Sequence, residues 1–247
     1  MKLTTVLASV NNNPSYYLFI PKQITFWKFF NIRFIAIFVG KELPDELKEY
    51  SDNIILWSKN LELDSAYVAQ NIRIWYPALI TLPDNELLMI TDMDMLPMND
   101  TYYKTGMDTF NKDDFIYYRY ISGNQIFMCY NAATPATWSK VFNINSENEI
   151  ESMLNTHYNK SYKALGNGWY TDQEILYKYL INYPDLKVLN RPIKRLEVSN
   201  YKKHLNNNDT DFISKYDDAH FHRNFNTNAE LIENAEMQLN LRLCNSK

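Results

Sequence analysis

The sequence is poor in cysteine, glycine and positive charge, and each shortage argues against a class of protein. Its 247 residues include two cysteines, Cys129 and Cys244, which provide neither a disulfide framework nor a cysteine zinc site. A formal net charge of −4 supplies no sustained basic face for a polyphosphate backbone, so we expect no nucleic-acid partner. The five glycines form no glycine-rich loop near the amino terminus, which disfavours a sugar nucleotidyltransferase.

Long apolar runs are also missing. The short apolar run at the start, in MKLTTVLASVNNN, is broken by Ser9 and three asparagines, so it is too short to span a bilayer. We therefore expect no membrane span and a cytoplasmic protein. Hydrophobic residues at 46% and charged residues at 22% are typical of a globular chain, and we expect one domain.

Short β-rich runs alternate with helical patterns, which predicts an α/β fold with a mostly parallel sheet flanked by helices. Strands are expected at 4–10, 33–40, 53–57, 86–90, 114–122 and 125–131. Helices are expected from Pro21, from a Ser65 cap to 79, from Thr134 to 142, and at 146–159, 171–182 and 228–242. The polar region 183–227 is predicted to be irregular.

Two carboxylates follow the fourth predicted strand in ITDMDML (90–96). In an extended segment, positions i and i+2 point the same way, so Asp92 and Asp94 can reach one ion. Oxygen ligands suit Mg²⁺ or Mn²⁺, and such an ion commonly keeps substrate phosphates as further ligands. A D-x-D triplet also arises by chance in solvated turns, but its position at the end of an apolar strand favours a metal site.

The segment GNGWYTDQEIL (166–176) holds two of the five glycines, which indicates a loop that can approach a ligand closely. Thr171 and Glu174 also match a capping box, so a plain helix start is the simpler interpretation. Asp172 fits both, because a carboxylate fixed beside such a loop can take a proton from a hydroxyl. Trp169 could stack on the apolar face of a ligand, although a tryptophan more often lies in a core.

A pair of histidines and one arginine are further candidates. YDDAHFHRNF (216–225) holds two of the four histidines, and either His220 or His222 could offer an imidazole to the same metal. Arg73 lies in an apolar, aromatic helical pattern, where it is either a surface cation or a phosphate ligand, since guanidinium binds phosphate with two hydrogen bonds.

These motifs together resemble nucleotide-diphospho-sugar glycosyltransferases of the GT-A fold, especially small soluble ones of large DNA viruses and bacteria. The similarity covers about residues 4–225, in VLASVNNN, LLMITDMDMLP, FMCYNAATPATW, GWYTDQEIL and HFH. It implies a Rossmann-like mixed sheet with the D-x-D at the end of the fourth strand. It also implies a nucleotide-binding half (1–95), an acceptor and sugar half (96–227) and a C-terminal helix (228–247).

The resemblance also implies roles for individual residues. It assigns metal ligands to Asp92, Asp94 and His220, nucleotide contacts to Ala8, Ser9, Val10, Thr91 and Met93, and a sugar or acceptor contact to Gln173. Beside these, Arg73 is a predicted nucleotide contact, and Asn131 and Trp169 are predicted sugar or acceptor contacts. Asp172 would be the base if transfer inverts the anomeric configuration, whereas Asp172 or Gln173 would orient the sugar if transfer retains it.

The implied activity is metal-dependent transfer of a sugar from a nucleotide-diphosphate donor, such as a UDP-sugar, to a hydroxyl acceptor, for which we expect a glycan. Two alternatives stay open. One is a non-catalytic nucleotide-sugar-binding module with the same crevice. The other is a phosphatase of the haloacid dehalogenase type, which also uses D-x-D but requires it on the first strand.

Overall fold

Ten strands in two sheets lie within the part of the chain that the computed structural model describes, residues 1–207, 209, 212–222 and 224–245. The strands are β1 (Lys2–Asn11), β2 (Arg33–Val39), β3 (Ile54–Trp57), β4 (Glu86–Ile90), β5 (Met95–Pro97), β6 (Phe115–Tyr117), β7 (Asn131–Ala133), β8 (Leu186–Val188), β9 (Arg195–Glu197) and β10 (Asp218–His220). The main sheet has the order β3-β2-β1-β4-β7-β6-β8, and the small sheet has the order β5-β10-β9.

Helices pack on both faces of the main sheet. They are α1 (Pro14–Tyr17), α2 (Ile20–Phe29), α3 (Ser65–Trp75), α4 (Thr101–Lys104), α5 (Pro135–Phe142), α6 (Glu147–His157), α7 (Thr171–Leu180), α8 (Val198–Asn206) and α9 (Phe225–Asn245), with 3₁₀ turns at Asp45–Asn53, Tyr76–Leu79, Met107–Thr109 and Ile213–Lys215. None of the described helices has the length and apolar character needed to cross a bilayer.

The first half of the main sheet is parallel. β1 pairs in parallel with β2 and β4, and β2 pairs in parallel with β3. Val6 and Ala8 belong to the core on one face of the sheet, whereas Leu7 belongs to the core on the other. Burial on both faces explains why these strands have nearly continuous apolar sequences. β7 then pairs antiparallel with β4 and β6, so the sheet is mixed, as expected.

Helix starts follow local sequence signals. Pro21 lies in the first turn of α2. The Thr134 hydroxyl accepts a hydrogen bond from the Thr137 amide at the start of α5, and Pro135 follows it. The predicted Ser65 cap is wrong, because the Asp64 carboxylate accepts from the amides of Ala66 and Tyr67 and is the N-cap of α3. Aspartate fills this role as well as serine does.

The predicted strands in the middle section are too long. From 114–122 only Phe115–Tyr117 forms a strand, and the strand expected at 125–131 is wrong except for its last residue, which begins β7. The Asn131 amide donates to the carbonyls of Phe127 and Met128, at 2.7 and 3.2 Å. These bonds fold the preceding segment into a turn, and its apolar side chains are buried without strand pairing.

The region 183–227 is more regular than predicted. Three short strands (β8, β9 and β10) and the helix α8 lie in its described part. β10 pairs with β5 on one side and with β9 on the other, and this pairing carries the chain back beside the segment that follows β4. The C-terminal helix is confirmed as α9, and Ser246 and Lys247 lie outside the described residues.

Candidate functional site

The D-x-D segment lies at the carboxyl end of the parallel strands, just after β4. The Thr91 amide donates to the Leu7 carbonyl at 3.0 Å, which continues the pairing with β1. Gln23, from α2, donates its side-chain amide to the Met93 carbonyl at 2.8 Å and holds the following turn. The Asp92 side chain is 27% exposed and that of Asp94 is 12% exposed. The two carboxylates therefore face different surroundings.

The residues expected to contact the nucleoside have buried side chains. Ala8, Val10, Thr91 and Met93 are all at most 4% exposed. The Ser9 hydroxyl donates to the Ala69 carbonyl and so ties β1 to α3. Backbone groups are therefore what this part of the edge can offer a ligand, and contact with a nucleoside stays a prediction.

Arg73 joins the D-x-D to helix α7. Its Nη1 donates to Asp92 Oδ1 at 2.5 Å and to the Thr91 carbonyl at 3.2 Å, while Nη2 donates to Asp172 Oδ2 at 2.6 Å. Nε donates to the Gln70 carbonyl at 3.2 Å. Burial alone would lower the pKa of Arg73. The carboxylates of Asp92 and Asp172 outweigh this effect, so the pKa lies above the ordinary value of arginine. The guanidinium is thus committed to two carboxylates, and a direct phosphate contact stays a prediction.

Asp172 is almost completely buried, with 1% of its side chain exposed. Oδ1 accepts hydrogen bonds from Gln70 Nε2 at 3.1 Å and from the Gln173 amide at 2.9 Å. Burial raises the pKa of Asp172 above the ordinary value, and the nearby Arg73 only partly opposes this. Both carboxylate oxygens are therefore held by the protein itself.

The capping box predicted at the start of α7 is wrong. The N-cap position is Tyr170, which makes no side-chain capping bond, and Glu174 is exposed. Thr171 is already the first helical residue, so its hydroxyl is misplaced for a cap. The position of Asp172 thus reflects its contacts with Arg73 and Gln70 rather than a capping motif.

The loop before α7 supports this arrangement. A Cβ atom at Gly168 would lie 2.2 Å from the Tyr162 ring, so only glycine fits there. The Tyr162 hydroxyl donates to Gln70 Oε1 at 2.7 Å, and Gln70 Nε2 also donates to the Trp169 carbonyl at 2.9 Å. Trp169 is 40% exposed, as is suitable for a sugar-stacking surface. Its predicted contact with an acceptor remains untested.

Two of the predicted sugar contacts have a buried side-chain oxygen that lacks a partner in the described part of the chain. Asn131 Oδ1 and Gln173 Oε1 are buried and have no hydrogen-bond partner among the described residues. The Asn131 amide nitrogen is occupied by backbone carbonyls, so its oxygen is the group left over. Buried polar atoms are nearly always paired, and an exception indicates a missing water or ligand.

His220 reaches the D-x-D from the small sheet. β10 pairs with β5, where His220 lies opposite Met95, and the Phe221 amide donates to the Asp94 carbonyl at 3.0 Å. His220 Nε2 lies 3.5 Å from Asp94 Oδ2. Burial would lower the pKa of His220, but the carboxylates of Asp94 and Glu197 outweigh it and raise the pKa.

A divalent cation fits part of the predicted ligand set. Asp94 Oδ2 and His220 Nε2 converge, and carboxylate oxygen with imidazole nitrogen suits Mn²⁺. Asp92 does not join them, because its carboxylate is turned to Arg73. Of the described residues, the three side chains whose ligand atoms all lie within 4.8 Å of one another are instead Glu197, His220 and His222.

The sequence predicted no role for Glu197 or Arg195 and gave no partner for Asp218. Arg195 Nη2 lies 2.6 Å from Asp218 Oδ2, and the Tyr130 hydroxyl donates to the same oxygen at 2.6 Å. Glu197 and Arg195 lie on β9, a strand of three residues within the region predicted to be irregular. The adjacent acidic residues Asp217 and Asp218 were the available signal, but nothing in the sequence names their partners.

No model of a protein family matches the chain, and no curated protein matches it. Solved structures do. The galactosyltransferase LgtC, in complex with donor and acceptor sugar analogs, aligns with a TM-score of 0.50 and 10% identity over 96% of this chain and 95% of LgtC. A glycosyltransferase involved in glycosylation of the major capsid of PBCV-1 aligns with a TM-score of 0.50 and 13% identity, over 95% and 99% of the two chains.

A third solved structure is larger than this protein. The apo form of the glycosyltransferase GlyE of Streptococcus pneumoniae TIGR4 aligns with a TM-score of 0.52 and 10% identity. The alignment covers 98% of this chain and 64% of GlyE. At such identities a structural match establishes the backbone arrangement and not the chemistry. The chain has the GT-A fold of these glycosyltransferases.

Proposed function

We propose that the protein is a glycosyltransferase that moves a sugar from a nucleotide-diphosphate donor to a hydroxyl acceptor with the help of Mn²⁺ or Mg²⁺. The observation that carries this proposal is the Arg73 bridge. On a GT-A fold, it connects the D-x-D at Asp92 to the helix start at Asp172, at 2.5 and 2.6 Å. Ligand crevices of open α/β sheets lie at this edge.

Asp94 and His220 are the residues that would hold the cation, with Asp92 as the predicted third ligand. When bound, a divalent cation supplies positive charge at the oxygens of the departing nucleoside diphosphate. Arg73 contacts Asp92 and so supplies a fixed positive charge at the first aspartate of the D-x-D. Preorganised charges of this kind stabilise a developing anion without further rearrangement.

Asp172 is better suited to positioning than to proton transfer. A general base must present an oxygen within hydrogen-bond reach of the acceptor hydroxyl. Both Asp172 oxygens already accept protein hydrogen bonds, and the side chain is 1% exposed. We therefore assign it the role of holding Arg73 and the start of α7, and the role of base is disfavoured.

Asn131 and Gln173 supply sugar contacts in this proposal. Their buried side-chain oxygens lack partners among the described residues and can accept hydrogen bonds from sugar hydroxyls. Trp169 offers an exposed ring to an acceptor. LgtC was solved with donor and acceptor sugar analogs, which supports a glycan acceptor here.

A nucleotide panel tests the proposal. We expect UDP or GDP, or a sugar nucleotide of one of these bases, to raise the melting temperature in the presence of Mn²⁺, and the sugar nucleotide to be slowly hydrolysed or transferred. Asp94→Asn should lose both effects of Mn²⁺, whereas Asp84→Asn, at an exposed position, should retain them. Stabilisation without turnover would indicate a binding module, and equal behaviour of both variants would contradict the metal assignment.

A further inference from the structure

Glu197, His220 and His222 form a compact cluster that the proposed sugar transfer uses only in part. His222 Nε2 lies 2.8 Å from Glu197 Oε2, and His220 Nδ1 lies 3.5 Å from the same oxygen. The two imidazole centroids are 3.7 Å apart. The ligand atoms of all three side chains thus lie within 4.8 Å of one another.

The small sheet builds this cluster from the backbone. Glu197 ends β9 and His220 ends β10, and the two residues are register partners in the parallel pair. His222 follows two residues later, where an extended chain returns its side chain to the same side. The Asn228 side-chain amide donates to the carbonyls of Phe221 and His222, at 2.9 and 3.3 Å, and so anchors the histidine segment to α9.

We propose that Glu197, His220 Nδ1 and His222 Nε2 form a site for a transition-metal ion, with Zn²⁺ as the ion that fits best. Two imidazoles and one carboxylate are a ligand set that zinc favours, with a fourth position left for water. Tetrahedral zinc places its ligand atoms about 3.3 Å apart. The distances of 2.8 and 3.5 Å lie on either side of this value.

Access and charge both suit an ion here. The His222 side chain is 63% exposed and that of Glu197 is 38% exposed, which leaves a path from solvent. Among the described residues, Arg195 is a cation that acts on His220, and it is already paired with the buried Asp218 at 2.6 Å. One carboxylate and two imidazoles therefore offer a divalent cation three ligand atoms at this position.

The site has a consequence for the proposed activity, and this step depends on the proposed function. His220 faces Asp94 with Nε2 and Glu197 with Nδ1. A neutral imidazole has one nitrogen that carries hydrogen and one that accepts. Zinc on Nδ1 therefore leaves hydrogen on Nε2, which removes that ligand from a cation at Asp94. Zinc in the cluster should antagonise Mn²⁺ at the D-x-D.

The test is an equilibrium titration of the full chain, without a histidine tag, with Zn²⁺ against a chromogenic chelator. We expect wild type to bind one zinc ion, and His222→Gln to weaken this binding at least about tenfold. His157→Gln, which removes an imidazole at the far end of α6, is the matched control and should change the affinity less than twofold. Glu197→Gln should reproduce the loss and provides a second variant if His222→Gln misfolds.

Asp92→Asn separates this inference from the proposed function. Its zinc affinity should equal that of wild type, because Asp92 contributes nothing to the cluster, while its Mn²⁺-dependent turnover should fall. If His222→Gln and His157→Gln bind zinc equally, the zinc site is wrong even if sugar transfer is observed. If zinc binding depends on His222 but no sugar nucleotide is bound, the zinc site stands and the proposed function fails.

Discussion

Two arginines in this protein form ion pairs with carboxylates, and they differ in how many carboxylates each arginine contacts. Arg195 donates through Nε and Nη2 to the carboxylate of Asp218, which is fully buried and also accepts from Tyr130. Arg73 instead divides its guanidinium between two carboxylates from different segments, and one of them, Asp92, is partly exposed. The first pair is closed on itself, and the second is open towards the crevice.

The difference lies in the charge balance. Arg195 and Asp218 neutralise each other within one pair of adjacent strands, which join the small sheet together. One guanidinium between Asp92 and Asp172 leaves an excess of one negative charge beside Asp94. A protein interior tolerates such an excess poorly unless a further cation balances it. A closed arginine pair thus contributes to the fold, whereas the open one leaves charge available for the cation that we propose.

The largest effect should come from opening the closed pair. Arg195→Met leaves the fully buried Asp218 without its cation, which typically costs about 3–5 kcal/mol of unfolding free energy. Urea denaturation followed by circular dichroism measures this loss. The double variant Arg195→Met/Asp218→Asn should recover part of it, because no uncompensated charge remains. A loss below about 1 kcal/mol in the single variant would contradict the structural role of the pair.

Breaking the open pair should act mainly on activity. We expect Arg73→Met to lower sugar-nucleotide turnover by about 10²–10³-fold, the range found when one preorganised charge-stabilising group is removed. Its unfolding free energy should fall less than that of Arg195→Met, since Asp92 can be solvated and Asp172 can take up a proton. Steady-state assays and urea denaturation on the same preparations compare the two effects. A variant with full turnover would remove Arg73 from the site.

The pH dependence of Arg73→Met sharpens the comparison. Burial already raises the pKa of Asp172, and loss of Arg73 should raise it further. A carboxyl group whose folded-state pKa lies above its unfolded value stabilises the protein below the unfolded pKa, and this contribution is lost as pH rises through the folded pKa. Relative to wild type, Arg73→Met should therefore be less destabilised in acid.

Each further unit of the Asp172 pKa corresponds to about 1.4 kcal/mol. Chemical denaturation from pH 4 upward measures this dependence. The double variant Arg73→Met/Asp172→Asn lacks the titrating carboxyl, so its difference from wild type should vary much less with pH. If both variants show the same pH dependence, a group other than Asp172 is responsible.

The sequence predicted the components of the open pair but not their connection. Asp92, Asp172 and Arg73 were all candidates, because an apolar strand end, a glycine loop and a charged residue among apolar neighbours are local signals. That Arg73 would bridge the other two depends on the packing of α3 against both β1 and α7. Contacts between segments 19 and 99 residues apart leave no trace in a single local pattern.

The closed pair and the zinc cluster were harder to predict, for a related reason. β1, β2 and β4 have long apolar sequences that specify strands by themselves, and their positions were predicted to within two residues. β9 and β10 have three residues each. They are strands only because β10 pairs with β5 on one side and with β9 on the other. Strand propensity reflects such neighbours more than the residues themselves. Glu197 and Arg195, which lie on β9, were therefore missed.

The smallest effect should come from an ion pair that is neither closed nor part of the site. Lys22 Nζ lies 2.8 Å from Glu236 Oε2, only slightly farther than the 2.5 and 2.6 Å of the arginine pairs, and the side chains are 23% and 30% exposed. Ion pairs that reach solvent typically contribute about 0.2–1 kcal/mol. Glu236→Gln should therefore change the unfolding free energy by less than 1 kcal/mol and leave turnover unchanged. Because the three pairs have nearly equal distances, a loss as large as that of Arg195→Met would show that distance, and not burial of the carboxylate, decides their contribution.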